Sequence, residues 1–486
     1  MSGIDIRPGG RPPGQPNPIY ALGEHTAVSR PGFAGRMRLP LTLVWYLMRR
    51  GGQQASVSRA VVVLPLVAFA AATALALTVL GGVNMFLWSP PPGMQSLGEV
   101  YTVCALLAAA VLIVPLLSLG GAAARLSARR RDDRLSTLRL LGATSSTVST
   151  MTVLESAAIA FTGSLLGIVF YLLGAPLVGL IHFGGQAIGS ASLMLPPVSV
   201  MVVVVVMTLI AVLSAVMGIR GVVLSPLGVR MRTDAPPLKR WLFLVAAISI
   251  VVLFGVSQAV GGAGSVAVFL LMLLGLFVGA ILLLNLLGPL VIAAIARRQV
   301  KKARTAERLM AMRFILESPK AVWRQVGGIA VTSFVAIIAG SGLALMQGTG
   351  NDLDDEARIM VGDIATGIYL TIAISFIMVT CSVGVSQAAS VYDRSDLYQS
   401  LSVLGLSPQR VDRARRTAVL APLRWVMFVS VTVGGILVFP LVGISIIIAP
   451  TNLMTVGGAL ALGAVLVGCG LLSTRPLLRS VSAYRP

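Results

Sequence analysis

Few residues in this chain have side chains that could do chemistry inside an apolar medium, and each stands alone. Glu155 and Arg424 are charged residues embedded in long apolar runs, and Asn285 sits in another, four residues before Pro289. Ionisable groups in such a setting are functional candidates by default. Each also has a plainer role. A carboxylate near the start of a helix is favoured by the helix dipole, which suits Glu155. Arg424 can snorkel to the headgroups. Asn285 can hydrogen-bond between helices at a proline kink. A Glu155–Arg424 ion pair, and a polar substrate contact at Asn285, are the sharper alternatives. Cys104, Cys381 and Cys469 lie inside apolar runs, spaced for neither a zinc site nor a disulfide framework. They read as small core residues, and no metal site is expected. The phosphate-cradling pattern GxxxxGK[ST] is absent, so no nucleotide cofactor is expected to bind this chain.

The second feature is a polar segment that occurs twice. Residues 129–144 read RRRDDRLSTLRLLGAT and residues 392–407 read YDRSDLYQSLSVLGLS. Aligned without a gap, they share Arg131/Arg394, Asp133/Asp396, Leu138/Leu401, Leu141/Leu404 and Gly142/Gly405, with Thr144/Ser407 a close substitution. Leu135, Leu138 and Leu141 form an apolar stripe in the first copy, and Leu397, Leu401 and Leu404 a cleaner one in the second. Gly142 is placed to end a helix as a C′ glycine does, and Thr144 to cap the next. A helix–break–helix projecting from the membrane follows. It is either an anchor between two spans or a docking knob for a partner. At the opposite end of the first span, Phe86, Trp88 and Pro90-Pro91-Pro92 form either an aromatic belt or a substrate lip.

The elements that must position these residues follow from composition. The 486 residues are 56% hydrophobic and 11% charged, with a mean hydropathy of +0.91. Soluble domains carry about 25% charged residues, so a soluble enzyme is excluded. Ten apolar runs, roughly 60–82, 100–122, 153–181, 197–218, 241–260, 265–296, 326–346, 364–390, 418–448 and 453–473, are each long enough to cross about 30 Å of hydrocarbon. The fold class is therefore an all-α polytopic membrane protein of ten transmembrane helices. Residues 1–38, rich in Pro and Gly, are expected to be a disordered cytoplasmic tail. The first 58 residues lack the apolar core of a signal peptide. Residues 39–50 and 306–317 read as amphipathic surface helices.

With ten spans both termini share one side. Of 38 basic residues, Arg358 alone falls in the five loops of the other side, and Arg424 lies in a span. The positive-inside rule makes both termini cytoplasmic and accounts for the net charge of +21 without nucleic acid. The outward loops are short. The acidic one, 347–363, reads as solvated or as an attractor for cations.

The offset of 263 between the two polar segments defines a repeat. Spans one to four (39–232) and seven to ten (305–486) are the copies, and spans five and six (233–304) are an insert, a 4+2+4 plan. Both copies start on the cytoplasmic side, so the repeat is parallel, with a pseudo-axis along the membrane normal.

The basic run, the acidic residue, LRLLGAT at 138–144, Glu155, and SPLGVRMR at 225–232 resemble the FtsX-like permease domain of ABC transporters of the MacB, LolC and BceB class. Two such domains in ten spans resemble the BceB and YbbP arrangement. That resemblance implies that Leu138, Leu141, Gly142, Ala143 and Thr144, with Leu401, Leu404, Gly405, Leu406 and Ser407, form two ATPase-coupling elements. It implies two copies of a cytoplasmic ABC ATPase of the MacB/LolD type as partners. ATP and Mg would be bound by that ATPase. Membrane lipid is the other expected contact, at the bacterial cytoplasmic membrane. Two departures are visible: Ala418 stands where the first copy has Glu155, and 83–99 and 347–363 hold no large extracellular domain. The function implied is a permease subunit handling an amphiphile drawn from the bilayer, such as a hydrophobic antibiotic, an antimicrobial peptide or a lipid. A mechanotransmitter to an extracellular partner, and an ion-coupled carrier, are the alternatives.

Overall fold

The long apolar runs become long helices. A computed structural model of the chain describes residues 57–88, 98–129, 145–223, 248, 251–252, 255, 266–348, 354–394, 397–398, 400, 403–448 and 450–473. In chain order these are α1 (Val57–Trp88), α2 (Gly98–Arg129), α3 (Ser145–Gly179), a hairpin of β1 (His182–Phe183) and β2 (Gln186–Ala187), α4 (Pro197–Val223), α5 (Val266–Lys301), α6 (Ala306–Glu317), α7 (Pro319–Gly348), α8 (Asp355–Asp393), α9 (Pro408–Leu437), α10 (Phe439–Ile448) and α11 (Pro450–Ser473). Among the described residues nine helices are long and apolar enough to cross a membrane. They fall on expected spans one to four and six to ten. The run 241–260 lies mostly outside the described residues, as does the surface helix expected at 39–50.

Three boundaries differ from the sequence reading. α8 begins at Asp355, not near 364, so much of the acidic stretch is helix rather than loop. Asp355 and Glu356 occupy its first turn, where the dipole favours them. The run 418–448 is two helices. α9 starts earlier, with Pro408 in its first turn, and ends at Leu437; α10 follows after Val438. Pro440 falls in the first turn of α10, where its missing N–H costs no intrahelical hydrogen bond. The stretch 182–196 contains the small antiparallel hairpin, registered His182 to Ala187 and Phe183 to Gln186. Gly184 and Gly185 turn it with φ of 62° and 76°, the left-handed conformation a tight hairpin turn demands.

The surface helix expected at 306–317 is present as α6. Thr305 caps it by accepting from the Arg308 amide at 3.3 Å. Ala311, Met312 and Ile315 bury one face against α5 and α9.

α1 packs chiefly on α3 and α2, and α7 on α9 and α8. α2 packs on α4, and α8 on α11. The two groups meet mainly along α2 and α8, with further contacts of α2 with α7 and of α1 with α8. The register of that seam is informative. Tyr101 bonds Asp363, 262 residues on, and Ser118 bonds Ser382, 264 residues on. Ala122 and Leu126 share one apolar cluster with Val385 and Ala389. α2 and α8 thus run side by side, in the same direction, in the register of the sequence duplication.

Candidate functional site

The second polar segment is largely described, and it is built as a braced tip. Arg394, at the end of α8, donates from Nη2 to Glu317 Oε2 of α6 at 2.9 Å, and its guanidinium lies 4.3 Å from the centre of the Phe314 ring. Tyr398 is buried with Val391 of α8 and Val411 of α9, and Leu406 packs against them. Burial pushes the Tyr398 hydroxyl above its ordinary pKa, which Arg394 and Arg415 partly offset, so it stays a neutral phenol. At the base of α9 the Asp412 carboxylate accepts from Arg415 Nη2 at 3.1 Å and also from Arg416. Asp412 and Arg415 are both buried. Above this base the chain turns at Gly405, with φ of 84°. Val403 and Leu404 project at the tip, 71% and 79% exposed. Leu406 is half-buried and Ser407 exposed at the N-cap position of α9. Two large apolar side chains are therefore held out on a support that is itself packed.

Of the other coupling candidates, Leu138, Leu141, Gly142, Ala143, Thr144 and Leu401 lie outside the described residues. α3 begins at Ser145, immediately after Thr144.

Within the bundle, Asn285 is part of a helix–helix contact. Its Oδ1 accepts from Trp323 Nε1 of α7 at 3.0 Å, while its Nδ2 donates to the Ile281 carbonyl at 3.1 Å. The indole lies flat on Gly288, where a Cβ would meet it at 2.1 Å. Glu155 is half-buried in α3. Arg424 is exposed on α9, its Nε donating to the Leu420 carbonyl at 3.4 Å. Among the described residues no group of three His, Cys, Asp or Glu side chains is arranged to hold a metal.

At the end of the bundle away from the tip, Phe86 stacks on Tyr101 at 6.0 Å and meets Phe183 edge-on at 5.5 Å. Trp88, its sequence companion, is 79% exposed. The sequence reading missed Tyr101 and Asp363 here. Asp363 is 6% exposed, not solvated, and accepts from the Tyr101 hydroxyl and from the Gly184 amide, each at 2.8 Å. The signal available in sequence was the repeat offset, which sets Tyr101 almost opposite Asp363. The bracing roles of Arg394 and Tyr398 were also missed. Arg394 aligns with Arg131, but its partner Glu317 lies in another element.

These features form a polytopic helical bundle with an apolar knob at its basic end and no nucleotide motif. No curated protein matches the chain. Residues 100–224, which run from α2 to α4 and include the first polar segment, match the FtsX-like permease C-terminal family. The matched segment suggests a permease-type function of the ABC transporter kind; proteins of that family are membrane transport components that typically work with an ABC ATPase. On that segment, about a quarter of its length, the chain is similar to the FtsX-like permease C-terminal family.

Proposed function

We propose that this chain is the membrane subunit of an ABC transporter that moves or extracts an amphiphile from the bilayer, driven by two copies of a separate MacB/LolD-type ATPase. The observation that carries this is the tip at Val403 and Leu404. Large apolar side chains held out on a packed support, beyond the membrane span, offer a surface that a partner protein can cover. The first segment, 129–144, would offer the equivalent knob through Leu138 and Leu141. The in-register α2–α8 seam supports two parallel four-helix domains, 39–232 and 305–486, with 233–304 inserted, and hence two docking positions per chain. The short outward loops favour entry from the lipid over capture in solution.

The purified chain alone is expected to hydrolyse no ATP, and to copurify with its ATPase at one permease to two ATPase subunits. Quantitative gel densitometry and a coupled turnover assay read both. Turnover by the isolated chain would overturn the reading.

By the positive-inside rule the Val403–Leu404 end faces the cytoplasm and Asp354 the outside. In intact cells an impermeant maleimide should label Asp354→Cys and leave Asp133→Cys and Asp396→Cys unlabelled. The reverse pattern would invert the topology.

A further inference from the structure

At the hairpin end, one buried side chain joins the two halves of the bundle. Asp363 belongs to α8, yet both hydrogen bonds to its Oδ2 come from the first half: the Tyr101 hydroxyl at the start of α2 and the Gly184 amide in the hairpin turn, each at 2.8 Å. The roots of the hairpin are fixed within the first half. The Gly189 amide donates to the Gly179 carbonyl at 3.0 Å, and the Ile188 amide to Ile181 at the same distance. The Tyr171 hydroxyl of α3 donates to the Leu193 carbonyl and accepts from the Leu195 amide at 3.2 Å. That Leu193 carbonyl lies so close to α1 that a Cβ on Gly81 would stand 2.5 Å from it. The tip, by contrast, reaches across to α8. Phe183, Phe86 and Tyr101 pack beside it with Met360 of α8, closing the seam with apolar rings.

We propose that Asp363 is a latch on the α2–α8 seam, and the hairpin a strap that it holds shut. Its two hydrogen bonds are made when the ends of α2 and α8 are together and are lost when they part. Farther along the seam the Ser118 hydroxyl pairs with Ser382 at 2.9 Å and also donates to the Arg324 carbonyl of α7, while Ala122 and Leu126 pack with Val385 and Ala389. The latch sits at the opposite end from the coupling tip, so motion begun at the ATPase must release it for the seam to open on the far side. Assigning that side to the exterior rests on the topology proposed above.

Cys104, one turn past Tyr101 on α2 and half-buried, reports on the seam. In the full chain carrying Cys381→Ser and Cys469→Ser it is the sole thiol. Its labelling by an impermeant maleimide is followed in intact cells and in inside-out vesicles. Asp363→Ala, which removes both hydrogen bonds, should speed labelling about tenfold or more over the parent. Tyr101→Phe, which keeps the Gly184 bond and fills the same space, should give a smaller rise and serves if the alanine variant fails to fold. Acceleration from the cell exterior supports the latch and the topology together. Acceleration only in inside-out vesicles supports the latch and overturns the topology. Equal rates from both sides in parent and variants, at unchanged melting temperature, overturn the latch.

Discussion

Leu404→Asp should weaken ATPase binding by about two orders of magnitude while leaving the permease folded. Leu404 is 79% exposed and belongs to none of the apolar clusters, so the change costs the isolated chain little. At a protein interface the new carboxylate would be buried without a partner, a penalty of roughly 3 kcal/mol or more, and every 1.4 kcal/mol is tenfold in affinity. Gly405→Val should behave similarly for a different reason. A β-branched side chain resists the φ of 84° at which Gly405 turns the chain, so Val403 and Leu404 would be re-aimed. Leu141→Asp is the matching change in the first segment, and the Leu141→Asp, Leu404→Asp double variant should lose stimulated turnover entirely. Pull-down of the ATPase, with a turnover assay on the reconstituted complex, measures this. Normal binding and turnover in the double variant would leave the two segments as membrane-surface anchors.

What could be read from the sequence, and what could not, divides along one physical line. Apolar runs report where hydrocarbon is, and the nine membrane-length helices among the described residues fall on the runs expected of them. Helices do not end where the hydrocarbon does. α8 continues through Asp355–Asp363 and α9 through Pro408–Thr417, because backbone hydrogen bonding favours continuation until a proline, glycine or solvent competes. That is why Asp363 reads as loop in the sequence and is buried helix in the fold. The hairpin carries a local signal, Gly184-Gly185 between short runs, of the kind that marks a tight β-turn. The ordinary composition of the surrounding loop hides it. Tyr101, Asp363, Arg394 and Tyr398 depend on which elements touch, and single-residue chemistry does not encode that. The duplication offset does encode part of it. Residues about 263 apart face each other along α2 and α8, as Tyr101–Asp363 and Ser118–Ser382 show. Asn285 is the intermediate case: its chemistry and the neighbouring Pro289 mark it, but the identity of its partner, Trp323, needs the fold.

The largest structural effect is expected in α3, at Gly163 and Gly167, the two ends of a GSLLG stretch of the GxxxG type. Gly163 and Gly167 are four residues apart and so share one helix face. They face α1 at backbone contact. A Cβ at Gly167 would lie 2.7 Å from the Ala70 carbonyl oxygen and 2.7 Å from Thr73 Cβ; one at Gly163 would lie 2.8 Å from the Leu66 carbonyl oxygen and from Phe69 Cβ. Within a membrane, association has little hydrophobic driving force, and close approach over small residues supplies van der Waals contact instead. The nearby Thr73–Ser164 hydrogen bond, 3.1 Å, contributes only about 0.6 kcal/mol by the usual measure of such bonds. Packing therefore decides this interface. Gly167→Leu drives a side chain into a carbonyl that belongs to the α1 backbone and cannot rotate away, so the cost should reach the upper end of overpacking, about 3 kcal/mol. Gly174→Leu on the same helix is the control, since a Cβ at that position would meet nothing within 4 Å. In detergent, Gly167→Leu should melt well below the parent and the Gly163→Leu, Gly167→Leu pair should fail to accumulate, while Gly174→Leu should match the parent. Because α1 also meets α2 and α8, the displaced helix should disturb the seam as well, and the Cys104 thiol should then label faster in Gly167→Leu even where Asp363 is intact. A Gly167→Leu chain with parental melting temperature would mean that α1 and α3 do not approach at backbone distance.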